Sequence, residues 1–511
     1  MPKNKTFYIT TPIFYPSGKL HIGHAYTTSI AWTIRNYKKL RGYDAKLLTG
    51  ADEHGQKIQQ KALENKISEQ QYVDNMSGIF QELWNKIEID FDYYSRTTNK
   101  SHEESVQKIF TKLLNENIIY KGSYKGLYSI QDEEFFTKTQ ADEKEGEYFH
   151  PTSGHKLEEV EEESYFLKIS LFSDWLDKQF DKPNFVRPNK IIKELRSNFI
   201  EKGLEDLSVT RTSFSWGVSV KEDPKHVIYV WLDALTNYIN TLGYATENEE
   251  EYNKYWVNGD EKVHLVGKEI TRFHCIYWPI ILKALKIPQP TTILSHGWII
   301  TPEGKMSKSK GNVIDPLELI EEYGAETLKY FLVSQISMGQ DGVFDREILK
   351  NSYNANLANN FGNLLSRTVA MTLQSFDKPI IFKEPELEID LEILNLIKSS
   401  KEEYIKYFDD FNLSKAFEVA NKLSKSLNGF VDKTAPWKLK EDKDRLGQIL
   451  LILQNGIYAV ATFLSVVIPK KAAKALEQLQ LKELSFEQID NFKKFDKTLV
   501  KKGEVLFQRI K

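Results

Sequence analysis

The chain has 511 residues, with 69 Lys and Arg against 72 Asp and Glu and a formal net charge of −3. That length exceeds what one hydrophobic core usually holds, so several structural units are expected. The near-neutral balance leaves any nucleic-acid contact to a local patch rather than to the field of the whole molecule. A single cysteine, Cys275, excludes an intramolecular disulfide and any cysteine-based metal cluster, and it fits a reducing compartment. The opening "MPKNKTFYITTP" has neither the apolar stretch of a signal peptide nor the Arg-rich helix of a transit peptide. No apolar run reaches the roughly 18 residues that span a bilayer. The expectation is a soluble, cytoplasmic protein without membrane contact.

"TFYITTPIFY" (Thr6–Tyr15) is β-rich and broken by Pro12, which predicts a buried strand running into a loop. From His21 to Leu40 the pattern is helical, and "DAKLLTGAD" (Asp44–Asp52) predicts a second strand. Strand, helix and strand at this spacing make a βαβ unit of a parallel sheet, whose ligands lie at the carboxyl ends of strands, where Tyr15 and Asp52 fall. From about Asn117 to Lys221 the chain is short-stranded, turn-rich and acidic, with "EEVEEE" at Glu158–Glu163, and reads as an inserted subdomain. Strand-like "KHVIYVWLDAL" (Lys225–Leu235), "KVHLVGKE" (Lys262–Glu269) and "TTILSHGWIIT" (Thr291–Thr301) return to the α/β pattern. After about residue 350 strand signals nearly vanish. Phe417, Ala420, Leu423, Leu427 and Val431 recur at helical spacing up to Pro436, and Leu446–Val467 is another apolar-striped helix. The C-terminal third is expected to be a helix bundle.

Two motifs carry chemistry. "HIGH" (His21–His24) opens a helix just after a strand and a Gly-containing loop. A metal site, a packed helix face and a nucleotide site all suit that pair taken alone. For a nucleotide, the free N–H groups and partial positive charge of the helix start suit phosphate, imidazoles can bond the same phosphates, and Gly23 lets a flat base approach the backbone. "KMSKS" (Lys305–Ser309) lies between Gly304 and Gly311. Two lysines three apart on a mobile loop can clamp a polyphosphate while charge moves onto the leaving group; taken alone, they are a solvated surface run. The pair of motifs, in this order and in α/β context, is far more specific than either.

With "HIGH" and "KMSKS" the sequence resembles the class I aminoacyl-tRNA synthetases, and the metal reading of the histidines falls away. "TPIFYPSGKLHIGHAYT", "YVWLDALTNYI" and "NNFGNLLSR" make it similar to the methionyl members in particular, through nearly the whole chain. The resemblance implies an α/β Rossmann-type catalytic domain with an inserted connective-peptide subdomain, followed by an all-α anticodon-binding helix bundle. Its boundaries are expected at 1–116 and 222–300 for the two catalytic halves and 117–221 for the insertion. Residues 301–350 would form the KMSKS loop and stem-contact region, and 351–511 the helical domain. It also implies that Ile13, Tyr15, Trp231, Ala234, Tyr238, Ile270 and His274 form a pocket for the methionine side chain, with Asp52 receiving its ammonium. Aromatic and sulfur-tolerant contacts suit a polarisable thioether, and a buried carboxylate orients an ammonium. Trp231 and Tyr238 could equally be core aromatics at helical spacing. Leu235 stands where relatives often have proline.

For ATP, with Mg2+ on its phosphates, the resemblance points to His21, Gly23, His24, Gly267, Glu269, Lys305 and Lys308. His21, His24 and the two lysines would be the catalytic group. For the CAU anticodon of tRNA(Met), initiator and elongator, it points to Asn363, Arg367 and Trp437. The polar stripe Asn356, Asn360, Asn363 and Arg367 is otherwise an ordinary solvated helix face. Many relatives carry a zinc knuckle in the insertion. Here Ser129, Asp132, Ser153 and His150 stand at the ligand positions, so no structural zinc is expected, and His150 and His155 are expected at the surface. The chain stops about where some relatives append a dimerising domain, which implies a monomer. The tail Lys493–Lys511 holds seven Lys or Arg against Asp496 and Glu504 and is either a solvated terminus or a tRNA contact. Rival readings are a sibling synthetase, for which the insertion is too short to edit or the single cysteine too few; a silent tRNA-binding paralogue, disfavoured by both intact motifs; and a dehydrogenase, disfavoured by the lack of GxGxxG after the first strand.

Overall fold

The computed structural model describes residues 4–130, 134–136, 138, 141–151, 153–306 and 312–510. The chain divides into two compact units. One comprises the segment ending at Leu20 with Asp44–Asn85 and Asp90–His296, and the other His21–Tyr43, Lys86–Ile89 and the chain from Gly297 onward.

The first unit is built on a six-stranded parallel sheet in the order Tyr93–Arg96, Asp44–Ala51, Thr6–Phe14, Glu261–Gly267, Thr292–His296, Val186–Arg187. Phe7, Tyr8 and Ile9 of the central strand are buried on both faces, which is why the sequence there reads as an apolar run rather than an alternation. Ile9 lies between Leu47 and Val263 in register. The pairing slips between Thr10 and Ile13, where Pro12 has no N–H to give. Strand order reverses between Thr6–Phe14 and Glu261–Gly267. The carboxyl ends of that pair, at Tyr15 and Gly267, are the usual ligand position of a doubly wound sheet.

A small antiparallel sheet is formed by Leu207–Ser208, Glu158–Leu167, Ile119–Ser129 and Glu134–Phe136. The acidic "EEVEEE" is one of its strands, and its charges meet bases: Glu161 pairs with Lys125 at 2.9 Å and Glu163 with Lys121 at 3.0 Å. His150, expected at the surface, is buried instead. Its ring sits edge-on to Phe136 at 4.7 Å, and its Nδ1 accepts the Ser153 N–H at 3.1 Å. His155 is exposed. The run Lys225–Leu235, expected as a strand, is a two-residue strand Val227–Ile228 followed by the helix Val230–Asn240. Its β-branched and aromatic residues mislead because this helix is buried all round, with Asp233, Thr236 and Asn237 buried beside Leu232, Leu235 and Ile239.

The second unit is predominantly helical. The helices Glu388–Asp409, Leu413–Thr434 and Lys443–Leu464 pack around Tyr404, Phe417, Leu427 and Phe463. Tyr404 stacks on Phe463 at 4.4 Å and donates its O–H to the Phe463 carbonyl at 2.6 Å. Burial of each such ring stabilises by about 1.5–3 kcal/mol. The Lys443–Leu464 helix is long and apolar enough to cross a membrane, yet 94% of its apolar stretch is buried inside this bundle. The Ile22–Leu40 helix belongs to the same unit: Tyr37 stacks on Phe408 at 4.4 Å and donates to Asp409 at 2.9 Å.

Candidate active site

In the first unit most of the residues expected around a thioether come together. Ala234 clusters with Tyr128 and Tyr229, and Ile13 and Trp231 pack against that cluster. The Trp231 ring lies flat on Phe273 at 3.6 Å and 5°. Phe273 was not singled out from the sequence. Its place three after Ile270, on the same face of a helical segment, is the signal that could have found it. Ile270, like Ile13 and Trp231, also packs against the larger core that contains Phe273 and Tyr238.

Below this wall the hydrogen bonds fix the ring states. His274 Nδ1 lies 2.9 Å from the Ile270 carbonyl, an acceptor only, so Nδ1 carries the proton. Nε2 therefore accepts the Tyr238 O–H at 2.7 Å. Burial pushes His274 down to about 4, so the ring is neutral at physiological pH. The Tyr238 ring leans on His264 at 4.2 Å. His264 accepts the Trp278 indole N–H at 3.0 Å and gives its own proton to Thr10 Oγ1 at 2.8 Å, with burial holding it neutral as well. Such an uncharged, hydrogen-bonded aromatic cluster suits contact with a weakly polar thioether better than with a charged side chain. Asp52 follows the strand Asp44–Ala51, is 8% exposed, and is held by its own N–H on the Phe14 carbonyl at 3.0 Å. Tyr15 is half-buried with the Lys57 ammonium 5.9 Å over its ring. Gly267 ends the strand Glu261–Gly267, and the Glu269 carboxylate folds back over it. A Cβ on Gly267 would come within 2.4 Å of Glu269 Oε1, so the absent side chain is what lets the two approach.

In the second unit His21 is the N-cap of the helix Ile22–Leu40. His21 Nδ1 accepts the Gly23 N–H and His24 Nδ1 accepts the His21 N–H, both at 3.0 Å, a reciprocal capping box made by imidazoles. With Nδ1 an acceptor in each ring, the neutral ring's proton is on Nε2, and both rings become donors on that side. The rings stand 4.0 Å apart. A Cβ on Gly23 would meet the His21 ring at 2.8 Å, so glycine here makes room for the imidazole itself. The Ile22 N–H, a free helix-start donor otherwise, bonds the Ile314 carbonyl at 3.1 Å. This ties the start of the helix to the far end of the KMSKS segment. The near end is a turn between the strands Ile299–Thr301 and Gly304–Lys305. Lys308 and the Lys305 side chain lie outside the described residues.

Farther along the second unit, Asn363 is exposed at the start of the helix Asn363–Ser375, Arg367 faces Asp432 at 3.8 Å, and Trp437 is 47% exposed after the left-handed Ala435. The expected polar stripe is divided. Asn360 bonds the Asn421 carbonyl at 3.1 Å and Asn428 at 3.0 Å, inside the bundle, because a wider helical stretch over Tyr353–Gly362 rotates it inward. Asn363 lines a cleft of about 410 Å³ with Asn359, Ser366, Val505, Phe507 and Arg509. The tail is thus docked: Asn354 exchanges two hydrogen bonds with Ile510, at 2.8 and 3.0 Å, and Tyr353 donates to the Gln508 carbonyl at 3.0 Å. Arg509 is a cation beside Asn363 that spacing alone did not single out.

The family model described as tRNA synthetases class I (M) matches residues 7–369. The methionine–tRNA ligase of Mycoplasmopsis pulmonis is 52% identical over 507 residues, 99% of each chain. That of Bacillus subtilis is 46% identical over all of this chain and 79% of its own. The structure of Mycobacterium tuberculosis methionyl-tRNA synthetase with methionyl-adenylate superposes with a TM-score of 0.94 at 32% identity, covering 99% of this chain and 100% of that one. The chain belongs to the methionyl-tRNA synthetase family of the class I tRNA synthetases.

Proposed function

We propose that this chain is a methionine–tRNA ligase: it joins L-methionine to ATP as methionyl-adenylate, releasing pyrophosphate, and passes the methionyl group to the 3′-terminal ribose of tRNA(Met). The observation that carries the reading is the hydrogen-bonded aromatic cluster of Trp231, Phe273, Tyr238 and His274, which packs in one core with Ile13 and Ile270, with Asp52 just past the strand Asp44–Ala51.

In the first step a carboxylate oxygen of methionine attacks the α-phosphorus of ATP. A phosphorus–oxygen bond forms, the bond to the β-phosphate bridge breaks, and pyrophosphate leaves with its electron pair. No covalent enzyme intermediate is needed, so the work is positioning and charge stabilisation. Asp52 holds the ammonium, and Ile13, Tyr15, Trp231, Ala234, Tyr238, Ile270 and His274 enclose the side chain. Gly267 and Glu269 meet the ribose, and the Nε2–H groups of His21 and His24 donate to the phosphates. Lys305 and Lys308 receive the charge that builds on the leaving pyrophosphate. Mg2+, when it accompanies ATP, would supply further charge neutralisation. In the second step a terminal ribose hydroxyl attacks the anhydride carbonyl, loses its proton, and AMP departs.

Asn363, Arg367 and Trp437 read the anticodon of both initiator and elongator tRNA(Met), Trp437 by stacking on an unpaired base. The insertion holds no structural zinc: Ser129 and Ser153 are hydroxyls, and the His150 Nδ1 already accepts a backbone N–H. The enzyme works as a monomer, since one chain carries every residue named here, and in the cytoplasm, where its substrates are. ATP–pyrophosphate exchange with each of the twenty amino acids, without tRNA, tests the first step. Exchange driven by methionine is expected, and exchange driven by another amino acid would overturn the pocket assignment.

A further inference from the structure

Asp233 lies in the helix Val230–Asn240 between Trp231 and Ala234, and its side chain is wholly buried. A buried carboxylate must be compensated. Here both oxygens are taken by histidines: Oδ2 by His54 Nδ1 and Oδ1 by His102 Nε2, each at 2.7 Å. Neither histidine sits on the helix that carries Asp233. His54 stands two residues after Asp52, and His102 is on the helix Lys100–Asn115 packed against Val230–Asn240. Both are buried. The network closes outward: His54 Nε2 is 3.5 Å from Glu103, the His54 ring sits edge-on to Trp216 at 5.7 Å, and Trp216 donates to the Glu53 carbonyl at 2.7 Å. His102 Nδ1 is 3.4 Å from the Asn240 amide at the end of the same helix.

The charges agree with the geometry. Burial alone would lower the basicity of His54, but the Asp233 carboxylate outweighs it and carries His54 up to about 10. Burial alone would raise Asp233, yet the two histidines hold it down to about 2. The pair is therefore ionised at neutral pH, and its geometry is set by two short charge-assisted bonds rather than by apolar packing alone.

We propose that His54 and His102 are positioning residues for substrate selection. Acting through Asp233, they hold the Trp231 and Ala234 face of the pocket at a fixed distance and angle from Asp52, so that the side-chain wall and the ammonium-binding carboxylate are presented to methionine as one rigid site. This rests on the reading that the pocket takes methionine. None of the three touches substrate. Their contribution is the rigidity that a binding site needs from its supporting groups.

The test is the split between the two Michaelis constants in ATP–pyrophosphate exchange by the full chain. For His102→Ala, or for Asp233→Asn should the former not fold, the KM for methionine rises by about tenfold or more, while the KM for ATP stays within about twofold. His102→Gln, whose amide can reach Asp233 from the Nε2 position, returns the methionine KM to within about threefold of the parent chain. A general loss of structure would instead lower the active fraction and leave both constants unchanged. Folded variants with unchanged KM values, equal rises for both substrates, or no rescue by glutamine overturn the assignment while leaving the methionine reading intact. A parent chain without methionine-dependent exchange overturns both.

Discussion

His21 and His24 cap a helix with one nitrogen and present a proton on the other, so the two duties can be separated. In His24→Asn the amide oxygen replaces Nδ1 as the acceptor of the His21 N–H, and the outward donor is lost. The thermal midpoint is then expected within about 2 °C of the parent, as for a retained cap. The exchange kcat is expected to fall by about 10²-fold, the usual cost of removing one donor to a developing charge. An unchanged kcat would mean that the histidines only cap. Tyr238 and His274 make the converse case. Tyr238→Phe removes the O–H that His274 Nε2 accepts and leaves a buried nitrogen unsatisfied. That costs about 1–3 kcal/mol, so the midpoint falls by several degrees and the methionine KM rises, both measurable on one preparation.

At the scale of elements, legibility followed the burial pattern. The strand, helix and strand from Thr6 to Ala51 could be read because each changes its periodicity at a chemical break: Pro12, the glycine loop before His21, and the turn before Asp44. The helix Val230–Asn240 could not, because full burial removes the polar face that marks a helix, and Val227, Ile228 and Tyr229 before it look like the start of a strand. Asn360 was misjudged for a related reason: the wider turn over Tyr353–Gly362 breaks the 3.6-residue spacing on which the stripe was drawn. The loss of the zinc ligand set points His150 to the surface, and a lone histidine in a turn-rich segment gives no hint of a ring such as Phe136 lying over it. Asp233 also reads as a mere polar residue in sequence, although its ion pair has a pH signature. His54 has a folded-state value above its free value, so its contribution is complete below about 6.5 and is lost as pH rises towards about 10. Asp233 has a depressed value, so its contribution is present above about 3.9 and lost as pH falls towards about 2. The midpoint difference between the parent and Asp233→Asn is accordingly expected to be largest between pH 5 and 6.5 and smaller at pH 10, by calorimetry in matched buffers. A difference that does not vary with pH would contradict the ionised pair.

For the whole molecule, the formal charge of −3 gives no general attraction to tRNA, so the proposed tRNA contact depends on placed groups, for which Arg367, Trp437 and the docked tail are the candidates. The family's signatures pointed to the chemistry over great sequence separation, whereas only the fold sets Arg509, one of the seven basic residues of the tail, in a cleft with Asn363. Arg509→Ala is expected to weaken tRNA binding and reduce its salt slope by about 1, with tRNA-free exchange unchanged. An unaltered slope would assign the tail a purely structural part. The most direct measurement of the full account is charging of tRNA(Met) transcripts with methionine, comparing the CAU anticodon with single-base variants and the parent chain with Trp437→Ala. The account predicts efficient methionylation of the CAU transcript alone, with a drop of about tenfold or more in kcat/KM for Trp437→Ala, the size of one lost stacking contact. Equal charging of every anticodon variant, or none of the CAU transcript, would contradict it.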